Sequence, residues 1–483
     1  MLKSLKLITK WIFIVYLTLG VLIWLFSPLV IRNITNNVIE PHNLAISSDS
    51  TIRYNLFSTH ISVSDLELYS LDSPSEVAIS IKVFDFELAL HQFIFDEIYI
   101  SELFIDGLNI NTSFVDDKLI IAGIILNDDS KAEVIDEEAA PSESAQVNFP
   151  YTVVLPELAF INTNFNLVDN NNAHKFSIKD LNIADFSASL KHQTFNLVLK
   201  SALNDSPILV NLDAKLNDNK GDVLLALDLQ KIALEKLQHF LPDNIKVLEG
   251  GVSFKAKNKL TLNDDAMLLS VTDFNFLIEE FNFSDDLYKA GFNNQALVSE
   301  AFTLNLSDFN SDINDVSLAY NLEELLVTTV ANDEVVISIN NIELPDISYT
   351  DPAIHQVTIS GLNINNIIAS DKVQDEYPGL LTLSAINVDN ILLTDKSVDV
   401  GTVSLSDLAV EAEINEEKVL VSLITFPEKQ VKESDATQPE SEPETETESQ
   451  SESTKENTEI EDVEKSSPVF NFSLPEFKLN NPA

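Results

Sequence analysis

One phrase recurs along this chain and restricts what it can become: apolar-x-apolar, two small or polar residues, apolar-x-apolar. It occupies Ile61–Leu68, Leu103–Ile110, Phe176–Ile183, Leu269–Phe276, Val357–Ile364, Leu381–Val388 and Val403–Val410, with a shorter copy at Leu304–Phe309. In a regular strand every second side chain shares a face, so positions 61 and 63 belong with 65 and 67. The apolar residues instead resume at Leu66 and Leu68. Both pairs reach one core only if a residue is absorbed, which a β-bulge does while bending and twisting the strand. A tight reversal at the two polar residues is the other reading. Each apolar pair is short for an independent strand, which favours the bulge. Many bulged strands side by side predict a mainly β chain: an elongated, strongly curved antiparallel sheet.

Between the copies the alternation is regular. Ile208, Val210, Leu212, Ala214 and Leu216 alternate with Leu209, Asn211, Asp213 and Lys215. Residues Asn217–Gly221 supply turn chemistry, and Val223, Leu225, Leu227 and Leu229 alternate again. This predicts a hairpin with one apolar face. Its acidic turn lacks the residue order of a calcium loop and reads as a plain turn. Helix is scarce and short. The clearest candidate beyond residue 40 is Gln230–Leu241, with Ile232, Ala233, Leu237, Phe240 and Leu241 on one side and Pro242 as its stop.

Trp11–Ile31 is a run of 21 residues without a charge. At ~1.5 Å per residue a helix of that length rises about 30 Å, the thickness of a bilayer's hydrocarbon. Lys3, Lys6 and Lys10 precede it, while Arg32 and Glu40 follow. That asymmetry predicts a single-pass anchor with residues 1–10 cytoplasmic and the bulk of the chain across the membrane. Trp11, Tyr16 and Trp24 are its aromatic anchors, Trp11 at a belt position. A cleaved signal peptide is disfavoured, because the run is long and Leu25–Leu29 offers no small-residue cleavage site.

Two segments, 127–146 and 431–467, are rich in Glu, Ser, Thr, Asp and Pro and hold almost no large apolar residues. They cannot bury enough surface to offset the entropy of ordering, so both read as acidic disordered linkers. They divide the exported chain into β-rich units at 32–126 and 147–430 and the start of a third at 468–483. Tyr151–Phe160 and Phe470–Leu479, each following a linker, share a Leu-Pro-Glu core at Leu155–Glu157 and Leu474–Glu476. Asp117–Ile121 and Glu417–Val421, each preceding one, also match. This is a long internal repeat. The third unit holds only one strand, so the chain is expected to be a C-terminally truncated piece of a longer protein.

Composition excludes several function classes. Net charge is −48; without the two linkers the rest still carries −32, so the folded surface is acidic and repels nucleic-acid phosphates. No cysteine is present, which removes disulfides, zinc–thiolate sites and a cysteine nucleophile. The histidines at 42, 60, 91, 174, 192, 239 and 355 include no helical metal pair, and His239 reads as a surface or capping residue. Neither phosphate-binding glycine motif occurs. The carboxylate pairs Asp116–Asp117, Asp264–Asp265 and Glu416–Glu417 sit in polar turns, where solvation accounts for them. No catalytic, cofactor or metal residues are assigned, and the chain does not read as an enzyme.

Several segments resemble the AsmA-like family of Gram-negative envelope proteins, in its uncharacterised branch. Tyr54–Phe57 followed by Ile61–Leu68 is similar to the family's opening strands after the anchor. Asp96–Leu103 is similar to its next repeat, and Leu158–Asp169 with His174–Ile178 to its recurring strand-Asp-strand pattern. The most specific match is Leu234–Pro242 then Leu248–Phe254, resembling the family's short helix, proline and glycine-opened strand. The resemblance spans most of the chain, but family members usually continue further. It implies an inner-membrane anchored, periplasmic protein built as a curved β-groove with an apolar inner face. It further implies a part in outer-membrane homeostasis and in moving phospholipid between membranes, with no catalytic residues. Candidate groove residues are Ile208, Val210, Leu212, Val223, Leu225 and Leu227, facing acyl chains. Expected partners are the inner membrane, phospholipid and envelope or outer-membrane proteins. The alternative is a scaffold or tether that binds protein partners through exposed strand edges without moving lipid.

Overall fold

The computed structural model describes residues 2–71, 77–115, 118–121, 124–125, 151–169, 172–264, 267–306, 312–314, 316–331, 333–350, 356–371, 380–410 and 471–481. Both acidic linkers, His355 and the last three residues of the Leu304–Phe309 copy lie outside them.

The chain opens with α1 (Leu2–Ile39). Its residues Thr18–Ile39 are long and apolar enough to cross a membrane, and little of that stretch is buried. The first strands are β1 (Leu44–Ile46), β2 (Thr51–Asn55), β3 (His60–Ser70), β4 (Val77–Leu88), β5 (Glu97–Asp106), β6 (Asn109–Val115), β7 (Lys118–Ile121) and β8 (Ile124–Ile125). Long strands follow: β9 (Thr152–Asp169), β10 (Asn172–Ala188), β11 (His192–Leu203), β12 (Ser206–Asn217), β13 (Lys220–Ala233), β14 (Val247–Leu262), β15 (Met267–Ser284) and β16 (Tyr288–Asn305). Next come β17 (Asp312–Asn314), β18 (Val316–Thr329), β19 (Val335–Thr350), β20 (Gln356–Ile359), β21 (Leu362–Asp371) and β22 (Leu381–Val388). The last are β23 (Ile391–Leu393), β24 (Ser397–Val400), β25 (Val403–Ser406), β26 (Ala409–Val410), β27 (Asn471–Ser473) and β28 (Phe477–Asn480).

All of them form one sheet, laid down almost wholly in chain order. Neighbours are antiparallel except at two places. Strand β9 joins β5 and β6 in parallel, and β27 and β28 join β24 and β25 in parallel. A parallel neighbour needs a connection of a dozen residues or more, and the two acidic linkers fall within those connections. The sheet is therefore mixed rather than purely antiparallel, and the internal repeat places its parallel junctions. Glu97 pairs Thr152 and Asp106 pairs Ile161; Ser397 pairs Asn471 and Ser406 pairs Asn480. The partners before the linkers lie 300 positions apart and those after them 319 apart, the offsets at which the sequences match.

Two creases cross the sheet, and the copies of the phrase at 61–68, 103–110, 176–183, 381–388 and 403–410 fall on them. One crosses the sheet through Asp65, Lys82, Gly107, Asn162 and Lys179, each skipped by the pairing on either side. A second runs through Glu280, Asn293, Glu324, Asn340, Asn366, Ser384 and Asp407. Asp65, Gly107 and Asn162 have φ of 49°, 70° and 51°, and Glu280, Glu324, Asn366 and Asp407 lie between 52° and 57°. Asp, Asn and Gly are the residues that enter this left-handed region most readily, which explains the polar pair in the copies at 61–68, 103–110 and 403–410. On both creases the left-handed residue falls on strands running one way, and the antiparallel neighbours carry none.

Packing shows that the creases reset the faces. Ile339, Ile367 and Leu383 form a buried cluster flanked by Ile337, Ile342, Ile364, Leu381, Ile386, Leu405 and Leu408. Odd and even positions of one strand, such as Leu383 and Ile386, meet in it because Ser384 lies on the crease between them. Strict alternation would send them to opposite faces.

The predicted helix Gln230–Leu241 does not form. Strand β13 continues to Ala233, and two single 3₁₀ turns, Leu234–Lys236 and Gln238–Phe240, follow. Ladder pairing of Ile232 and Ala233 with Val252 and Gly251 outweighs a short amphipathic pattern.

Candidate functional site

The register lines up apolar side chains across the sheet. One row reads Ile52, Val63, Phe84, Ile105, Phe160, Leu181, Leu199, Val210 and Leu227, each paired with the next. On the same face, two residues along each strand, lies Tyr54, Ile61, Phe86, Leu103, Leu158, Ile183, Leu197, Leu212 and Leu225. Neither row contains a charged residue. At ~4.8 Å per strand, nine strands carry each row about 38 Å. The apolar face continues through Leu229, Phe254, Phe276, Leu297, Tyr320 and Leu344. It then passes along Ile342, Ile364, Ile386, Leu405 and Leu479.

The row between the first two points to the other face. It reads Arg53, Ser62, Asp85, Phe104, Ala159, Asn182, Val198, Asn211, Ala226 and Lys257. That face carries a shallow depression of about 490 Å³ at Asn196, Asn211, Asp213, Leu224, Lys257 and Lys259.

All six sequence-derived groove residues lie on the apolar face. Ile208, Val210, Leu212 and Ala214 pair with Leu229, Leu227, Leu225 and Val223, the predicted hairpin in its predicted phase. Its turn has Asp218 and Asn219 at φ 50° and 62°, as a two-residue hairpin turn requires. Gly221 follows at φ 142°, where a Cβ would lie 2.0 Å from the Lys215 carbonyl oxygen. The six are half-buried, as are the two long rows apart from buried Val63. Small residues sink fully: Ala214 and Ala256 are 2% and 1% exposed. The large side chains of the two long rows, Val63 apart, therefore keep access to whatever lies against them. The side chains of Trp11 and Tyr16 lie outside the description. Trp24 is 42% exposed and stacks under the Arg53 guanidinium at 4.8 Å.

No sequence pattern points to one polar cluster. His174 and His239, 65 positions apart, stack with centroids 4.6 Å apart and Nε2 atoms 3.0 Å apart. His239 is thus largely buried, unlike the surface or capping role its sequence position suggested. Asp169 lies 3.7 Å from His239. The Lys175 N–H donates to Asn204 Oδ1, so the Asn204 amide nitrogen donates to His174 Nδ1 at 3.1 Å. That fixes the His174 proton on Nε2, where it donates to His239. A metal shared by both Nε2 atoms would move that proton to Nδ1, against the Asn204 donor. The cluster therefore ties the 3₁₀ turns to the ends of β9 and β10. Burial and the neighbouring His239 hold the His174 imidazole below its ordinary pKa. Among the described residues no group of three or more His, Asp or Glu is arranged to hold a metal ion.

Compared with family models, curated proteins and solved structures, the chain matches none.

Proposed function

We propose that this chain is an inner-membrane anchored, AsmA-like periplasmic protein whose apolar sheet face accommodates phospholipid acyl chains and passes them passively between membranes, in support of the outer membrane. The observation that carries the reading is the pair of uncharged rows crossing nine strands with half-buried side chains. A filled core would bury such residues; a lipid track leaves them open to an acyl chain. Lys3, Lys6 and Lys10, in the first turns of α1 ahead of its uncharged run, support a cytoplasmic N-terminus and a periplasmic sheet. The acidic exterior keeps an apolar face soluble beside anionic membranes.

A second reading rests on the far edge of the sheet. Strand β28 is exposed throughout, with Phe477 and Leu479 at 56% and 44%. Such an edge accepts a partner strand, as a scaffold or tether would require. A transfer assay separates the readings. The full chain is placed in donor vesicles carrying a fluorescent phospholipid, and arrival in acceptor vesicles is followed. The lipid reading expects transfer that Leu212→Glu with Leu225→Glu abolishes. Transfer no faster than from protein-free vesicles, by a chain with an intact β circular dichroism spectrum, would overturn it in favour of the scaffold.

A further inference from the structure

At one end of the sheet the described connections near α1 carry a run of exposed apolar side chains. The β2–β3 turn carries Phe57, 45% exposed, and the tip of its ring lies against Gly20 of α1. A Cβ on Gly20 would fall 2.0 Å from the Phe57 ring, so any side chain there would displace the ring from this position. Gly20 lies in the middle of the uncharged run, one turn before Trp24 with its stacked Arg53. The turn tip thus sits at the level of the apolar run, about one helical turn from the Trp24–Arg53 pair.

The neighbouring connections continue this tip. A hydrogen bond from Thr59 Oγ1 to the Leu88 carbonyl ties the β2–β3 turn to the end of β4. The 3₁₀ turn Leu90–Phe95 follows, with Leu90, Ile94 and Phe95 at 52%, 80% and 69% exposure. Phe93 meets Tyr151, just before β9, edge to face at 6.0 Å. The next turn at this end, between β10 and β11, presents Leu190 at 61%. Beyond it the same end turns polar: Asp218 and Asn219 between β12 and β13, then Asp264 between β14 and β15. The opposite end carries Asp169, Asn204 and Asp205, with the exposed apolar residues Leu71, Val168, Phe240 and Val330 spread along it.

Exposed apolar side chains gathered at one end and continuous with a membrane-crossing helix have one matching partner, a lipid surface. We propose that Phe57, Leu90, Ile94, Phe95 and Leu190 insert into the phospholipid leaflet on the sheet side of α1. The sheet then starts within the leaflet and lifts clear from β12 onward. This rests on reading α1 as a membrane span. It places the first apolar rows, beginning at Ile52 and Tyr54, where an acyl chain can enter directly from the leaflet.

The native chain has no cysteine, so single labels are unambiguous. Full chains with Ile94→Cys, Leu190→Cys, Asp218→Cys or Leu25→Cys are spin-labelled in discs of phosphatidylethanolamine and phosphatidylglycerol. The ratio of collision with oxygen to collision with a water-soluble nickel complex is then measured. The ratio is expected to be several-fold higher at 94 and 190 than at 218, and close to that at 25. A lipid-like ratio at 25 with water-like ratios at 94 and 190 overturns the insertion and leaves the lipid-track reading standing. A water-like ratio at 25 overturns both the anchor and the insertion. Leu25 and the turn positions are exposed, and matched circular dichroism spectra establish that the variants fold.

Discussion

Leu383→Ala tests the packing logic of the sheet. Leu383 is 5% exposed at the centre of the cluster that spans the second crease, against Ile339 and Ile367 at 9% each. The substitution removes three buried carbons, about 2.4 kcal/mol at ~0.8 kcal/mol per methylene. A cavity contribution adds to this, but the flanking residues are only partly buried and can settle inward. The total is therefore near the low end for buried leucines, about 3 kcal/mol. A ladder in which each strand touches mainly its neighbours loses that stability locally. Hydrogen exchange read by mass spectrometry should show protection of β19, β21 and β22 falling about 100-fold, the equivalent of ~3 kcal/mol, while β10–β12 remain unchanged. A change below threefold in β22 would refute the packing assignment. An equal loss across all strands would refute the local, neighbour-by-neighbour picture.

Two further outcomes follow from particular residues. At Asp65, φ 49°, substitution by glycine should be nearly neutral, whereas valine should cost about 1–2 kcal/mol because a β-branched side chain resists the left-handed region; thermal and exchange stability of β2–β4 would report the difference. Equal effects of the two would mean that Asp65 is not held by its backbone conformation. The His174 cluster predicts a pH dependence. The fold keeps this imidazole neutral between Asp169, Asn204, His239 and Lys236, so the unfolded chain binds the proton first as pH drops. Its contribution is complete above about pH 6.5 and declines below it. Exchange protection of residues 234–241 should fall between pH 7.5 and 5.5, and His174→Gln should flatten that response. A response unchanged by the substitution would assign the pH sensitivity elsewhere.

The β class, the hairpin at 208–229 and its apolar face were legible because alternation of period two is a local signal. The phase slip at 61–68 was legible for the same reason, but it is no one-strand bulge: Asp65 and Lys82 are skipped together and the register is the same on either side. What the phrase could not show is alignment: that Asp65, Lys82, Gly107, Asn162 and Lys179 fall on one line is a matter of register between distant strands. The parallel entry of β9 was hidden likewise, although the matching residues around Leu155–Glu157 and Leu474–Glu476 located both junctions. Residues 230–241 misled because Ile232 and Ala233 fit a helix face and a strand equally well, and pairing with Val252 and Gly251 decided between them. The His174–His239 stack joins residues 65 positions apart without periodicity, so nothing in the sequence pointed to it. Of the candidate site, the six named side chains share one face, but the rows that give that face its length emerge only from nine strands in register.

The lipid track is tested most directly by where lipid touches the sheet. Photo-crosslinking residues are placed one at a time in the full chain in Gram-negative cells. Leu199, Val210, Leu212 and Leu227 probe the apolar face; Lys200, Asn211, Asp213 and Ala226 probe the other. The account predicts phospholipid adducts at all four of the first set and at none of the second, alternating residue by residue along each strand. Adducts on both faces alike, or protein adducts alone on the apolar face, would contradict it.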